Sequence, residues 1–188
     1  MQSVSQVVQS VLGRISCFRA LATARRDSRA RLREISASRV LVICHGNIYR
    51  SAFVEAFLAG RPIPGVRVRS AGLHPVANRQ SPPRHVAMSQ KYGVDLRSHR
   101  SRVLTPSDLE WAQLIVLMDR HNWQRLVESG ADRRLLIWLG ALDGGASEIP
   151  DPYEMDDLEA ERIVSRLAEC SKALAARLAS SQPQTLAE

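Results

Sequence analysis

The sequence predicts an α/β domain: a three-layer α/β/α arrangement around a central four-stranded parallel sheet. Two observations carry this. Four short runs rich in Val, Ile and Leu are each followed by a segment of helical periodicity, and strands that alternate with helices build a parallel sheet. With 45% hydrophobic and 24% charged residues among 188, the chain can also fill the core that such a fold needs. That composition excludes wholesale disorder and collagen-like structure. No apolar run approaches the ~20 residues of a membrane-spanning helix. Cys17, Cys44 and Cys170 are too widely spaced for a disulfide framework or a zinc cluster, so the expected setting is a reducing, cytoplasmic one.

Residues 1–37 read as an N-terminal extension. Val4, Val7, Val8, Val11, Leu12, Ile15 and Phe18 draw one apolar stripe along a helix over residues 1–22, opposite Gln6, Gln9, Arg14 and Ser16. Gly13 weakens that helix by roughly 1 kcal/mol relative to alanine. Residues 23–37 are arginine-rich and poor in apolar side chains, which predicts a linker. The stripe suits packing on the chain's own body, a dimer contact, or the surface of an anionic membrane through residues 1–35. An organelle-targeting presequence has the same Arg- and Ser-rich, acid-poor character.

Residues 38–180 hold the domain. Strands are expected at 39–43, 66–70, 114–118 and 135–139. Helices are expected at 51–60, 83–92 with Gly93 as its stop, from about 119 to 127, and at 156–179. The last of these is apolar at Leu158, Ile163, Leu167, Leu174 and Leu178. Residues 181–188 read as a flexible tail.

The net charge is +7, but residues 1–39 carry +6 of it and the body only +1. Basicity is therefore a property of the extension. Only 5% of residues are aromatic and they do not interleave with the arginines, so no nucleic-acid partner is expected.

The most informative stretch is Cys44, His45, Gly46, Asn47, Ile48, Tyr49, Arg50 and Ser51, directly between the first strand and the first helix. Backbone N–H groups converge in such a loop at the positive end of a helix, which favours a thiolate at Cys44 and an anion beside it. Arg50 can fold back over the loop and hold an oxyanion through two parallel hydrogen bonds. Gly46 and Asn47 tolerate left-handed backbone, and Ser51 brings a hydroxyl able to donate to the sulfur. A nucleophile displacing phosphate needs a group that protonates the leaving oxygen. Asp151, followed by Pro152 and Tyr153 in a loop before the last helix, is the candidate, with Tyr153 as a wall for a substrate ring.

Taken together, these motifs resemble the low-molecular-weight protein tyrosine phosphatases, bacterial type, over residues 39–178. Ser70-Ala71-Gly72, Ser98-His99-Arg100-Ser101-Arg102 and Met118-Asp119-Arg120-His121-Asn122 match family segments in register. The resemblance implies that Cys44 forms a phosphocysteine intermediate. Arg50 and the backbone of His45 to Ser51 would bind phosphate, and Asp151 would serve as general acid and then base. Ser51 would assist the thiol, while Asn47, Ser51, Ser70 and His99 support the loop. Ile48 and Tyr153 would line the substrate wall, with no metal and no cofactor. Asp119 would be structural, a helix N-cap or a partner to an arginine. Implied substrates are phosphotyrosine proteins such as a bacterial tyrosine autokinase or a polysaccharide-export protein.

Two departures stand out. Tyr49 occupies a position where most of the family has a second cysteine able to form a protective disulfide, and Ala52 replaces a usual proline. The arsenate-reducing branch needs two further cysteines, and residues 111–140 contain none. A protein-arginine phosphatase remains the alternative, although that branch carries threonine where this chain has Ile48. A non-catalytic phosphate-binding module is the other alternative, weakened by the presence of Cys44, Arg50 and Asp151.

Overall fold

The computed structural model describes residues 4–34 and 36–181, with side chains from Ile15 onward. Its strands are β1 (Arg39–Cys44), β2 (Arg67–Gly72), β3 (Leu114–Leu117) and β4 (Leu136–Trp138). They form one parallel sheet in the order β2-β1-β3-β4. The helices are α1 (Val4–Glu34), α2 (Arg50–Ala59), α3 (Pro83–Gln90), α4 (Pro106–Trp111), α5 (Arg120–Glu128) and α6 (Asp157–Ser180).

Burial explains the run-like strand sequences. In β1 every residue after Arg39 is buried, because helices cover both faces of a central parallel strand. Val40, Val42 and Cys44 join the core shared with α2 and α6, whereas Leu41 and Ile43 join the core shared with α1 and α5. β2 is an edge strand and leaves Arg67 and Arg69 exposed. Charged side chains there discourage pairing with another chain.

The extension differs from its expected form. α1 runs without a break to Glu34, so residues 23–34 are helix and not linker. Alanine and arginine are strong helix formers, and the packing face consists of small residues that an apolar count overlooks. Cys17, Ala24 and Ser28 are buried beneath α1 against β4 and α5, and Leu32 is buried in the core shared with α2 and α6. The Trp138 N–H donates to Ser28 Oγ at 3.0 Å, and Arg31 and Arg25 donate to the carbonyls of Leu136 and Gly145. Ile15 and Phe18 of the expected stripe are 49% and 74% exposed, so these two residues are not on the face that docks. The stripe's remainder, Val4 to Leu12, lies outside the described side chains.

α4 was not expected, although its signal was present. Thr105 caps it in a reciprocal box with Asp108, and Pro106 takes the first helical position. In α6, Leu167, Leu174 and Leu178 are buried as expected, but Leu158 in the first turn is exposed. Residues 182–188 of the expected tail lie outside the described residues. Among the described residues no helix is long and apolar enough to cross a membrane.

Candidate active site

β1 ends at Cys44, and residues 45–49 turn the chain into α2 at the carboxyl edge of the sheet, where ligands of such folds bind. The Cys44 sulfur lies 3.0 Å from Ser51 Oγ and accepts the Asn47 N–H at 3.2 Å. Asn47 takes the left-handed backbone expected of it, with φ of 52°.

A fully buried Asn47 side chain organises the loop. Its amide donates to Ser51 Oγ at 2.9 Å and Ser70 Oγ at 2.7 Å, and its Oδ1 accepts the Arg102 N–H at 2.8 Å. That backbone donor fixes the orientation of the amide. Ser51, already accepting from Asn47, has its own proton free for the sulfur. The Ser70 hydroxyl donates in turn to the Glu55 carboxylate at 2.6 Å. His99 Nε2 lies 2.7 Å from the Asn47 carbonyl, an acceptor only, so Nε2 carries the proton. Glu55 and the Arg102 N–H were missed by sequence reasoning, since neither belongs to a local pattern.

The end of β2 closes against this loop. Leu73 N–H donates to the His45 carbonyl at 2.8 Å and His74 N–H to the same oxygen at 2.9 Å. A Cβ on Gly72 would stand 2.9 Å from that carbonyl, so only glycine permits the approach.

Arg50 is buried and reaches three partners: Asp119 at 2.5 Å, Asp151 at 2.5 Å and the Ile149 carbonyl at 2.9 Å. Asp119 also caps α5 by accepting the Asn122 N–H at 2.8 Å, so it holds both expected structural roles together. Burial opposes the guanidinium charge, but Cys44, Asp151 and Asp119 outweigh it and push the Arg50 pKa up. Its buried Nε has no protein partner among the described residues and is available to an oxyanion. Cys44, His45, Gly46, Ile48, Tyr49, Asp151 and Tyr153 line a cavity of about 440 Å³ with His74, Arg79 and Glu154.

A family model for the low molecular weight phosphotyrosine protein phosphatases matches residues 39–184. The chain belongs to that family. Among low molecular weight phosphatases, it is 30% identical over 145 residues to Etp of Escherichia coli K12, covering 77% of this chain and 97% of Etp. It is 27% identical over 143 residues to a protein-arginine-phosphatase of Geobacillus stearothermophilus, covering 70% and 94%. The crystal structure of the tyrosine phosphatase Wzb from Escherichia coli K30 with sulphate superposes with a TM-score of 0.69 at 27% identity. That match covers 76% of this chain and 99% of Wzb. The four-stranded parallel sheet and its flanking helices are thus the fold of the low molecular weight phosphatases.

No second cysteine stands beside Cys44. All three cysteines are free. Cys17 sits under α1 near the Arg120 carbonyl, and Cys170 sits beside Asp143 with burial pushing its thiol up to about 12. Neither is placed on the loop. Peroxide is therefore expected to carry Cys44 to the sulfinic acid without a protecting disulfide. Intact and peptide mass spectra of gently oxidised protein check this, and a Cys44 disulfide would refute it.

His85 gives a pH expectation. It is fully buried on α3 and burial lowers its pKa to about 4. The unfolded chain binds that proton near pH 6.5 and the folded chain does not, so stability is complete above about 6.5 and falls as pH drops toward 4. The contribution is about 3 kcal/mol. Urea midpoints of wild type and His85→Gln between pH 7 and 4.5 should show a shallower pH slope in the variant. Equal slopes would contradict it.

Proposed function

We propose that the chain hydrolyses phosphotyrosine in proteins, with Cys44 as nucleophile, Arg50 and the loop N–H groups as phosphate clamp and Asp151 as general acid and base. The observation that supports this most is that Cys44 and Asp151 line one cavity, with the buried Arg50 guanidinium bonded to the Asp151 carboxylate beside it. In the first step the Cys44 thiolate attacks phosphorus, the bond to the phenolic oxygen breaks, and Asp151 gives that oxygen a proton. In the second, water attacks phosphorus, Asp151 takes its proton, and the S–P bond breaks to release phosphate. Arg50 and the backbone dipoles stabilise the equatorial oxygens in both. Ser51, Asn47, Ser70 and His99 hold the loop in shape.

Ile48 and Tyr153 favour an aromatic ring against the aliphatic arm of phosphoarginine. The similarity to a protein-arginine-phosphatase keeps that second reading in view. The substrate is a phosphoprotein. A tyrosine autokinase or polysaccharide-export protein met in the cytoplasm is the finer proposal, with α1 as a further contact to a membrane surface or a second copy. Phosphate release from matched phosphotyrosine and phosphoarginine peptides, at pH 5–7 with chelator present, tests the assignment. Faster release from the phosphotyrosine peptide is expected; the reverse order would make the chain an arginine phosphatase. Binding without release would make it a phosphate-binding module.

A further inference from the structure

The loop that carries Asp151 has little secondary structure of its own between Ile149 and the start of α6. Within it the Met155 N–H closes a turn on the Pro152 carbonyl at 3.3 Å; further restraints come from outside. Arg50 holds the Asp151 carboxylate, and Arg84 on α3 donates to the Met155 carbonyl at 2.6 Å and the Asp156 carbonyl at 3.1 Å. Between these two anchors stands Tyr153, 60% exposed. Its ring meets the ring of Tyr49 edge-on, with centroids 6.0 Å apart and planes at 82°.

Tyr49 is itself tightly seated. It is 4% exposed, and its ring lies 4.2 Å from that of His85, the residue next to Arg84 on α3. His85 Nε2 lies 3.3 Å from the Tyr49 carbonyl, so Nε2 is the donor and the imidazole is fixed from both its face and its edge. The same carbonyl accepts the Phe53 N–H at 2.9 Å and opens α2. Adjacent residues of one helix thus grip the acid loop twice, Arg84 directly at its end and His85 through Tyr49 at its middle.

We propose that Tyr49, locked by His85, is a positioning residue for the acid loop: its ring braces Tyr153 and so sets Asp151 over Cys44. A smaller side chain at this position would leave a gap between His85 and Tyr153. A general acid must come within about 2.6–3.2 Å of the oxygen it protonates, and an error of about 1 Å can cost on the order of 100-fold in rate. The inference rests on the role given to Asp151 above.

Leaving-group dependence separates this from a merely structural role. Phenyl phosphate expels a phenolate as basic as tyrosinate and needs the acid; p-nitrophenyl phosphate expels a far weaker base and needs it less. The ratio of kcat/KM on phenyl phosphate to kcat/KM on p-nitrophenyl phosphate, which reads the step that expels the phenolate, should fall about tenfold in Tyr49→Ala. It should recover in Tyr49→Phe, which keeps the ring. Tyr49→Leu provides a second loss variant should alanine fold poorly, with the inhibition constant of inorganic phosphate reporting an intact loop. An unchanged ratio in both loss variants, or a fall in Tyr49→Phe as large as in Tyr49→Ala, would overturn the inference. Asp151→Ala is the control. If it lowers the ratio and Tyr49→Ala does not, the bracing fails alone; if it leaves the ratio unchanged, the acid role of Asp151 fails and takes the bracing with it.

Discussion

Cys44→Ser is expected to lower phosphate release by on the order of 10⁶-fold, the scale seen when an enzyme loses its covalent nucleophile. The serine hydroxyl fits where the sulfur sits, beside Ser51 Oγ and the Asn47 N–H. The clamp therefore survives: Arg50 keeps Asp119 and the Ile149 carbonyl, and Asn47 keeps both serines. Calorimetry should find phosphopeptide still bound while a phosphate-release assay finds almost no turnover. Wild-type rates in the variant would eliminate the phosphocysteine route. Loss of binding along with turnover would mean that the sulfur also shapes the loop.

Deleting residues 1–37 is the second large effect, expected to cost about 5 kcal/mol or more of stability. Burying a leucine-sized side chain contributes about 1.5–3 kcal/mol; the deletion removes Leu32 from the core shared with α2 and α6, and Ala24 and Cys17 from the core that holds Leu136 and Trp138. It also strips the acceptors and donors that meet the Trp138 N–H and the Leu136 and Gly145 carbonyls. Against a whole-domain stability of about 5–15 kcal/mol, a loss of that size is severe. Urea unfolding of the truncated and full chains compares them directly. A truncated chain with an unchanged midpoint would show that α1 is dispensable to the fold.

The loop from Cys44 to Ser51 was legible as a candidate in the sequence because its pattern is local, and Asp151 became a candidate only beside that loop. Cysteine, glycine, asparagine and arginine at fixed offsets between a strand and a helix leave few other uses. The strands were legible because burial on both faces writes itself as unbroken Val, Ile and Leu. What stayed hidden depends on residues far apart. Nothing in the spelling of residues 23–34 announces a packing face, since Ala24 and Ser28 bury well only when β4 lies beneath them. Glu55 and His85 act on the loop from α2 and α3 through contacts no spacing encodes. Asp119 reads as a cap or an arginine's partner, but which arginine stayed hidden, because Arg50 lies 69 residues away.

The seat of α1 also bears on how the chain is made. Arg31, Ser28 and Arg25 find their partners 105, 110 and 120 residues later. A ribosome adding about 5–20 residues per second delivers those partners roughly 5–25 s after the helix itself. A helix made that long before its partners is therefore among the last elements of this domain to dock. Its small-residue face must wait in the open while the strand that covers it is still being translated, and a long-range closure of this kind slows folding.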